Sequence, residues 1–246
     1  MLEVGAGIGT LTIGLAELAG WVTAVEVDRG LLRALEATAG TRPNVRIVPG
    51  DILAMAPEAL FEGPVAAPRK VVANLPYNIA SAVLTRLLRQ PLGLTSLVVT
   101  VQREVADRLA ARPGGREYGL LSIAVQYRAI PRIIARIPPG AFLPPPAVDS
   151  ALVELRPRRE PAVAVADESM FFRIVAAGFG QRRKTLHNAL ASGLDLPKEV
   201  VERACRSAGI DPRVRAETLD LEAFGRLTQA LAPAVIEEGR SRDLPP

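Results

Sequence analysis

Leu2-Glu3-Val4-Gly5-Ala6-Gly7-Ile8-Gly9-Thr10 is the stretch that decides the fold. A short apolar strand runs straight into three glycines at alternate positions. From Thr10 to Leu18 the residues Leu11, Leu15 and Leu18 then recur at helical spacing. Strand, glycine turn, helix is the opening unit of a parallel α/β sheet. Glycine there lets the chain turn tightly and lets a ligand approach the backbone, and the helix N-terminus offers unpaired N–H groups and a positive dipole end.

Working outward, strands alternate with helices. Val22–Val27, Val45–Val48, Val71–Ala73 and Leu97–Val101 read as strands, and Leu31–Thr38, Ser81–Leu88, Glu104–Ala111 and Leu120–Tyr127 as helices. Ile133–Ile137 and Ala151–Leu155 are placed to close the sheet. This alternation predicts a mainly parallel sheet covered on both faces. Arg156-Pro157-Arg158-Arg159-Glu160-Pro161 breaks the rhythm and reads as a linker. Beyond it Met170–Phe179, Arg183–Ala191, Lys198–Ala208 and Leu221–Leu231 are helical, and the polar tail from Glu237 is expected to fray. The expected division is an α/β domain over residues 1–158 and a small all-helical domain over 159–246. Met1 nearly abuts the glycine loop, so the chain reads as a fragment or the product of a late start codon.

Composition narrows the class. The 246 residues are 49% hydrophobic and 23% charged, a globular profile. Neither an apolar run of about 18 residues nor a signal peptide is seen, so no membrane segment is expected. Cys205 is the only cysteine, which excludes an intrachain disulfide and fits a cytoplasmic, reducing compartment. One cysteine and one histidine, His187, argue against a Cys/His metal site, and no metal is expected. Both residues are expected to pack or lie at the surface. The net charge of +4 favours a polyanionic partner only weakly, because Lys70, Lys184 and Lys198 are the only lysines and an arginine-rich, GC-rich codon bias accounts for much of it.

The glycine spacing is G-x-G-x-G, not the G-x-G-x-x-G of dinucleotide folds. It fits a loop passing the methionine part of S-adenosylmethionine, where no pyrophosphate needs a cradle. Glu26, closing the second strand, is placed to accept from both ribose hydroxyls; a solvated strand end is the plain alternative for it or for Asp28. Asp51 follows Gly50 at the third strand end, where it could accept from the cofactor's exocyclic adenine amine. Acids or glycines at three successive strand ends fall along one crevice, the place where such sheets bind ligands.

Asn74-Leu75-Pro76-Tyr77 follows the fourth strand. An exocyclic adenine amine is a poor nucleophile because its lone pair is delocalised into the ring. The Asn74 oxygen and the carbonyl of Leu75 or Pro76 could each accept an N6–H bond, turning the nitrogen lone pair toward a methyl donor. Pro76 stiffens the loop, and Tyr77 offers a face for an extruded base. The plain alternative is an ordinary Asn-Pro turn. Phe142, in Phe142-Leu143-Pro144-Pro145-Pro146, is a second stacking platform or else a core plug.

These motifs together resemble the KsgA/RsmA-type ribosomal RNA adenine dimethyltransferases of the small subunit. Leu2 to Thr12 is similar to that family's cofactor loop, Val25-Glu26-Val27-Asp28 to its ribose-binding strand end and Gly50-Asp51 to its adenine-binding acid. Asn74-Leu75-Pro76-Tyr77-Asn78-Ile79 resembles its catalytic motif. Gln102-Arg103-Glu104-Val105-Ala106-Asp107-Arg108-Leu109, Phe142-x-Pro144-x-Pro146-x-Val148-Asp149-Ser150, Phe179-Gly180-Gln181-Arg182-Arg183-Lys184-Thr185-Leu186 and Arg215-Ala216-Glu217-x-Leu219 follow in the family's order.

The resemblance implies a Rossmann-like class I S-adenosylmethionine-dependent methyltransferase with a small helical C-terminal domain. It implies Asn74, Leu75, Pro76, Tyr77 and Phe142 at the catalytic site, and Glu3, Gly5, Ala6, Gly7, Glu26, Val27, Asp51, Ile52 and Asn74 around the cofactor. The implied activity is dimethylation of two adjacent adenines near the 3′ end of 16S rRNA within the immature small subunit, with a role in its biogenesis and the enzyme acting as a monomer. The family's Gly-Gln-x-Phe-Leu-type lid before the first strand is not seen in this sequence, so the resemblance is to an N-terminally truncated member. Arg182-Arg183-Lys184, read as the start of a helix, is the densest basic cluster and the candidate phosphate contact; a solvated face or a bridge to acids is the alternative. Arg156, Arg158 and Arg159 would extend a basic face. Two other readings stand beside the first: an Erm-like 23S rRNA adenine N6-methyltransferase, and a non-catalytic RNA-binding assembly factor.

Overall fold

The computed structural model describes residues 1–64, 68–181 and 183–242. The chain divides into two compact units, Met1–Ala110 with Arg128–Arg159 and Ala111–Tyr127 with Glu160–Pro246. The first unit is built on seven strands: β1 (Leu2–Val4), β2 (Val22–Glu26), β3 (Val45–Pro49), β4 (Arg69–Asn74), β5 (Leu94–Gln102), β6 (Ala129–Ile137) and β7 (Ser150–Pro157). Their order across the sheet is β3-β2-β1-β4-β5-β7-β6. The β1 to β5 pairs are parallel, whereas β7 runs antiparallel to both β5 and β6.

Helices α1 (Thr10–Leu18), α2 (Arg29–Ala39), α3 (Ala80–Arg89) and α4 (Arg103–Leu109) belong to the same unit. Every residue of β2 is buried, as befits a central parallel strand rich in β-branched residues. Asp28 starts α2 by accepting from the N–H groups of Gly30 and Leu31 at 2.7 and 2.9 Å. The chain steps outward one way from β1 to β2 and β3, and the other way from β4 to β5. The switch lies between β1 and β4, and it places a crevice at their C-terminal ends.

The second unit contains α5 (Leu120–Gln126), α6 (Glu168–Phe179), α7 (Leu186–Leu194), α8 (Lys198–Ser207) and α9 (Leu221–Arg242). Asp167 caps α6 through the N–H groups of Ser169 and Met170. Its core gathers Phe171, Phe224, Leu190 and Leu227, all fully buried.

Several boundaries differ from expectation. Residues 111–127 fall with the helical unit instead of the continuous 1–158 domain, because Tyr118 and Tyr127 are buried in its core. The Tyr127 ring stacks on Phe171 at 5.0 Å, and Tyr118 meets Phe179 edge-on at 6.1 Å. The linker expected from Arg156 starts later, since Arg156 and Pro157 still pair with Ile130 and Ala129. Helix α7 begins at Leu186 and not Arg183, with Thr185 extended as its cap residue and its Oγ1 accepting from Asn188. Helix α9 runs on through Pro233 to Arg242, past the point where fraying was expected. Among the described residues no helix is long and apolar enough to cross a membrane.

Candidate active site

Four strand ends share one edge. The register sets Val4 against Val25, Glu26 against Pro49 and Asn74 against Thr100. The loops that open at Gly5, Val27, Gly50 and Leu75 therefore rise side by side. Gly5 and Ala6 both donate their N–H groups to the Val25 carbonyl, at 2.9 and 3.1 Å. Gly7 N–H donates to Glu26 Oε2 at 2.8 Å, and the N–H groups of Val27 and Asp28 donate to Glu26 Oε1 at 2.9 Å each.

Glu26 is thus buried, 5% exposed, and held by three main-chain donors. Oε1 has both in-plane positions filled, while Oε2 carries one of these bonds and retains an acceptor site. The neighbouring acid, Asp28, is occupied as the α2 cap. Val27 is 65% exposed beside this carboxylate, an apolar surface on the rim, and Ile52, next to Asp51 in the chain, is buried. Asp51 is exposed; Gly50 N–H ties its loop to the Glu26 carbonyl at 2.9 Å, and Asp51 Oδ1 accepts from Leu53 N–H at 2.8 Å.

Gly5 has φ +71°, and a β-carbon added there would come within 3.1 Å of Cγ and Cδ of Pro76 and 3.7 Å of the Asn74 carbonyl oxygen. The glycine loop and the tetrapeptide are therefore packed on each other across the switch point, with no room for a side chain between them. Beneath the loop, Glu3 is 1% exposed and Glu3 Oε2 accepts from Thr12 Oγ1 at 2.6 Å. Burial pushes its carboxyl up to about 7, with the Glu26 charge adding to the rise and the Thr12 bond opposing it.

Leu75 is buried and its N–H continues the ladder to the Thr100 carbonyl at 3.1 Å, so the tetrapeptide is fixed at its second residue. Asn74 and Pro76 on either side are exposed. The Pro76 carbonyl already accepts from Ile79 N–H at 3.1 Å, closing the turn into α3. Tyr77 is half-buried, and its hydroxyl lies 2.6 Å from Ser150 Oγ, across 73 residues of sequence. Ser150 opens β7 and is fully buried.

Ahead of it, the loop 138–149 is pinned at its base by Arg103, whose N–H donates to the Asp149 carbonyl at 2.9 Å and whose Nη1 meets Asp149 Oδ2 at 3.0 Å. Phe142 in this loop is half-buried, with its N–H on the Pro139 carbonyl, and the neighbouring Leu143 is 98% exposed. The β6–β7 loop opens where β7 starts, opposite the C-terminal end of β5. Phe142 therefore stands on the same sheet edge as the tetrapeptide.

In the helical unit Arg183 and Lys184 are exposed on the turn before α7, while Arg182 lies outside the described residues. Arg156 is engaged by Glu154 at 3.0 Å. His187 Nδ1 contacts the Pro212 carbonyl at 2.9 Å, and Cys205 is buried with its thiol pushed up to about 11 by burial. Thr12, Arg103, Asp149 and Ser150 support the site but were not singled out from the sequence. They stand inside motif stretches, yet nothing in a linear reading pairs Tyr77 with Ser150. Among the described residues no group of three or more His, Cys, Asp or Glu side chains could hold a metal ion.

The model of the ribosomal RNA adenine dimethylase family matches residues 1–232. A protein from Moorella thermoacetica named ribosomal RNA small subunit methyltransferase A is 45% identical over 237 residues, covering 94% of this chain and 82% of its own length. One of the same name from Geobacillus thermodenitrificans is 46% identical, covering 94% and 81%. Among solved structures, a dimethyladenosine transferase from Plasmodium falciparum superposes with a TM-score of 0.74 at 22% identity, over 94% of this chain and 89% of that one, a likeness of fold alone. The 23S rRNA methyltransferase ErmE gives 0.66 at 28% identity, over 94% and 90%.

Proposed function

We propose, starting from the fact that this chain belongs to the ribosomal RNA adenine dimethylase family, that it dimethylates two adjacent adenines near the 3′ end of 16S rRNA in the immature small subunit. It is an S-adenosylmethionine-dependent rRNA adenine methyltransferase; the target adenines, the subunit's assembly state and the residue roles are the proposal. The observation that carries it is the contact of Gly5 with Pro76, which sets a cofactor loop directly against an amine-orienting tetrapeptide.

The residues at the crevice fit the cofactor. Gly5, Ala6 and Gly7 give backbone without bulk to the amino-acid portion, with Glu3 beneath. The open position on Glu26 Oε2 takes a ribose hydroxyl. Val27 and Ile52 give apolar contact to the adenine, and Asp51 accepts from its amine. S-adenosylmethionine supplies an electrophilic methyl group on a sulfonium.

The rest falls to the chain. Asn74 Oδ1 accepts one N6–H bond of the target adenine. The second falls to the Leu75 carbonyl, since that of Pro76 is engaged by Ile79. Two acceptors hold the amine pyramidal with its lone pair aimed at the methyl, a gain in orientation and not in basicity. Attack precedes loss of the proton, so no prior general base is required. Tyr77, its ring fixed through Ser150, stacks on one face of the base, and Phe142 closes the other. Arg183 and Lys184 contact phosphates. Because the enzyme acts twice on each nitrogen, the acceptor pair must release a monomethylated amine, which keeps one N–H, and hold it again.

The small-subunit reading is preferred to an Erm-like one because the relatives with 45–46% identity carry the small-subunit name while ErmE stands at 28%. The test is to incubate the chain and S-adenosylmethionine with immature small subunits and, in parallel, with protein-free 23S rRNA, then map methylated adenines. Two adjacent N6-dimethyladenines near the 3′ end are expected. Methylation confined to 23S rRNA would favour the Erm-like activity, and cofactor-independent subunit binding without methylation a non-catalytic assembly role.

A further inference from the structure

Arg86 has no part in the site as built above, yet it joins two of its walls. It lies on α3, the helix that leaves the tetrapeptide. Its Nη2 donates to the main-chain carbonyl of Met55 at 2.6 Å, while its Nε is buried without a partner. A buried guanidinium N–H without a partner is costly unless the bond made beside it fixes something, and a charge-assisted bond this short is among the stronger kinds.

Met55 is what it fixes. The Met55 N–H and that of Ala54 both donate to the Asp51 carbonyl, at 3.2 and 2.9 Å. The Met55 methyl lies 2.4 Å from where a Gly50 β-carbon would stand, and Gly50 has φ +141°, so the Met55 side chain fills the space that only glycine leaves open. Gly50 N–H in turn holds the Glu26 carbonyl. A continuous set of contacts thus runs from α3 through Arg86 and Met55 to Gly50 and Asp51.

We propose that Arg86 is a positioning residue for cofactor binding: it ties the Asp51 loop to the helix behind Asn74–Tyr77 and so holds Asp51 where it receives the cofactor's adenine end. The inference rests on the role given to Asp51. It requires that loss of Arg86 act on the adenosine part of the cofactor and be silent once Asp51 is gone.

The experiment is calorimetric titration of S-adenosylmethionine, and of 5′-methylthioadenosine, which keeps the adenosine and lacks the amino-acid portion. The proteins are the wild-type chain, Arg86→Ala, Arg86→Lys, Asp51→Ala and the Arg86→Ala/Asp51→Ala double variant. Arg86→Ala is expected to weaken both ligands by the same factor, on the order of tenfold, and Arg86→Lys to regain most of it. The double variant should bind within about twofold of Asp51→Ala alone, which is the signature of one pathway. With saturating cofactor, the turnover of Arg86→Ala should stay within about threefold of wild type.

Normal binding by Arg86→Ala beside weakened binding by Asp51→Ala overturns the inference and spares the Asp51 reading. Normal binding by Asp51→Ala overturns both. Additive losses in the double variant also overturn it. If Arg86→Ala does not fold, Arg86→Met, which keeps the stem and removes the donors, takes its place; if neither folds, Arg86 serves stability alone and the inference fails.

Discussion

The glycine-loop side of the crevice and the tetrapeptide side are built to opposite rules. On the first side the two acids that flank the glycine loop are sunk and satisfied. Glu26 is 5% exposed under three N–H donors, and Glu3 is 1% exposed on Thr12. On the second side they stand out from the sheet. Asn74 and Pro76 are exposed, Leu143 is 98% exposed, and the neighbouring Phe142 and Tyr77 are half-buried on proline-stiffened turns. A small cofactor of fixed shape rewards a pocket organised before it arrives, since orienting groups then cost nothing at binding. An RNA base swung out of its strand needs a wall that is open to it, and stiffness there comes from proline and from anchors behind the surface.

The two sides should therefore fail differently. The largest effect is expected from Asn74→Ala: kcat falls on the order of 10³-fold, comparable to removing a preorganised polar group from a transition state. Subunit binding should stay within about twofold of wild type. Full activity would remove Asn74 from the chemistry and with it the distinction between the sides. Glu26→Gln should invert the pattern. The amide presents its NH₂ to one of three N–H donors, so a bond is replaced by a clash and the charge is lost. Cofactor affinity should drop on the order of 30-fold, with kcat at saturation within about threefold. A selective loss of kcat in this variant would merge the two sides into one.

A smaller effect sharpens the comparison from behind the surface. Ser150→Ala removes the 2.6 Å partner of the Tyr77 hydroxyl. One such bond is worth about 1 kcal/mol, or roughly fivefold in kcat, and cofactor affinity should not move. Tyr77→Phe should cost the same, and the pair should cost no more than either alone.

How much of this could be read from the chain follows the same division. The placement of the glycine loop, Glu26 and Asp51 along one sheet edge was legible because each sits at a strand end, and strand ends come from local periodicity. The tetrapeptide was legible for the same reason, as the exit of β4. What sequence could not supply was long-range pairing. Tyr77 meets Ser150 across 73 residues and Arg103 meets Asp149 across 46, and no spacing rule links them. The apolar run from Leu120 to Tyr127 announced burial but not its partner. Aromatic packing on Phe171 and Phe172 carries it into the helical unit, against the continuous 1–158 domain the strand pattern implied. The helix expected from Arg183 begins at Leu186 because Thr185, an extended cap residue, stands between them. A solvated strand end was the plain alternative from sequence for Glu26 or Asp28; geometry separates the two, with Glu26 buried under three N–H donors and Asp28 capping α2.

Glu3 gives the smallest effect on turnover and the finest probe of the sunken side. Its carboxyl is pushed from near 4.5 up to about 7, chiefly by burial. Between those values the folded chain keeps a proton that the unfolded chain has released. The stability linked to that proton is full below about pH 4.5 and is lost as pH rises toward 7. Glu3→Gln, which mimics the protonated form, should flatten the fall in melting temperature over that window, and a variant that still follows wild type would place the titration elsewhere. The same proton reports the cofactor. S-adenosylmethionine carries net positive charge, and a cation bound against the glycine loop lowers the Glu3 value, so binding near pH 7 should expel part of a proton. Calorimetry in buffers of different ionisation enthalpy should detect that release in wild type and lose it in Glu3→Gln, while turnover at pH 7 changes by less than about threefold. S-adenosylhomocysteine lacks the sulfonium charge and should expel less. Equal release with both ligands would mean that Glu3 senses the amino-acid portion alone, and would move the sulfonium toward the open side of the crevice, beside Asn74.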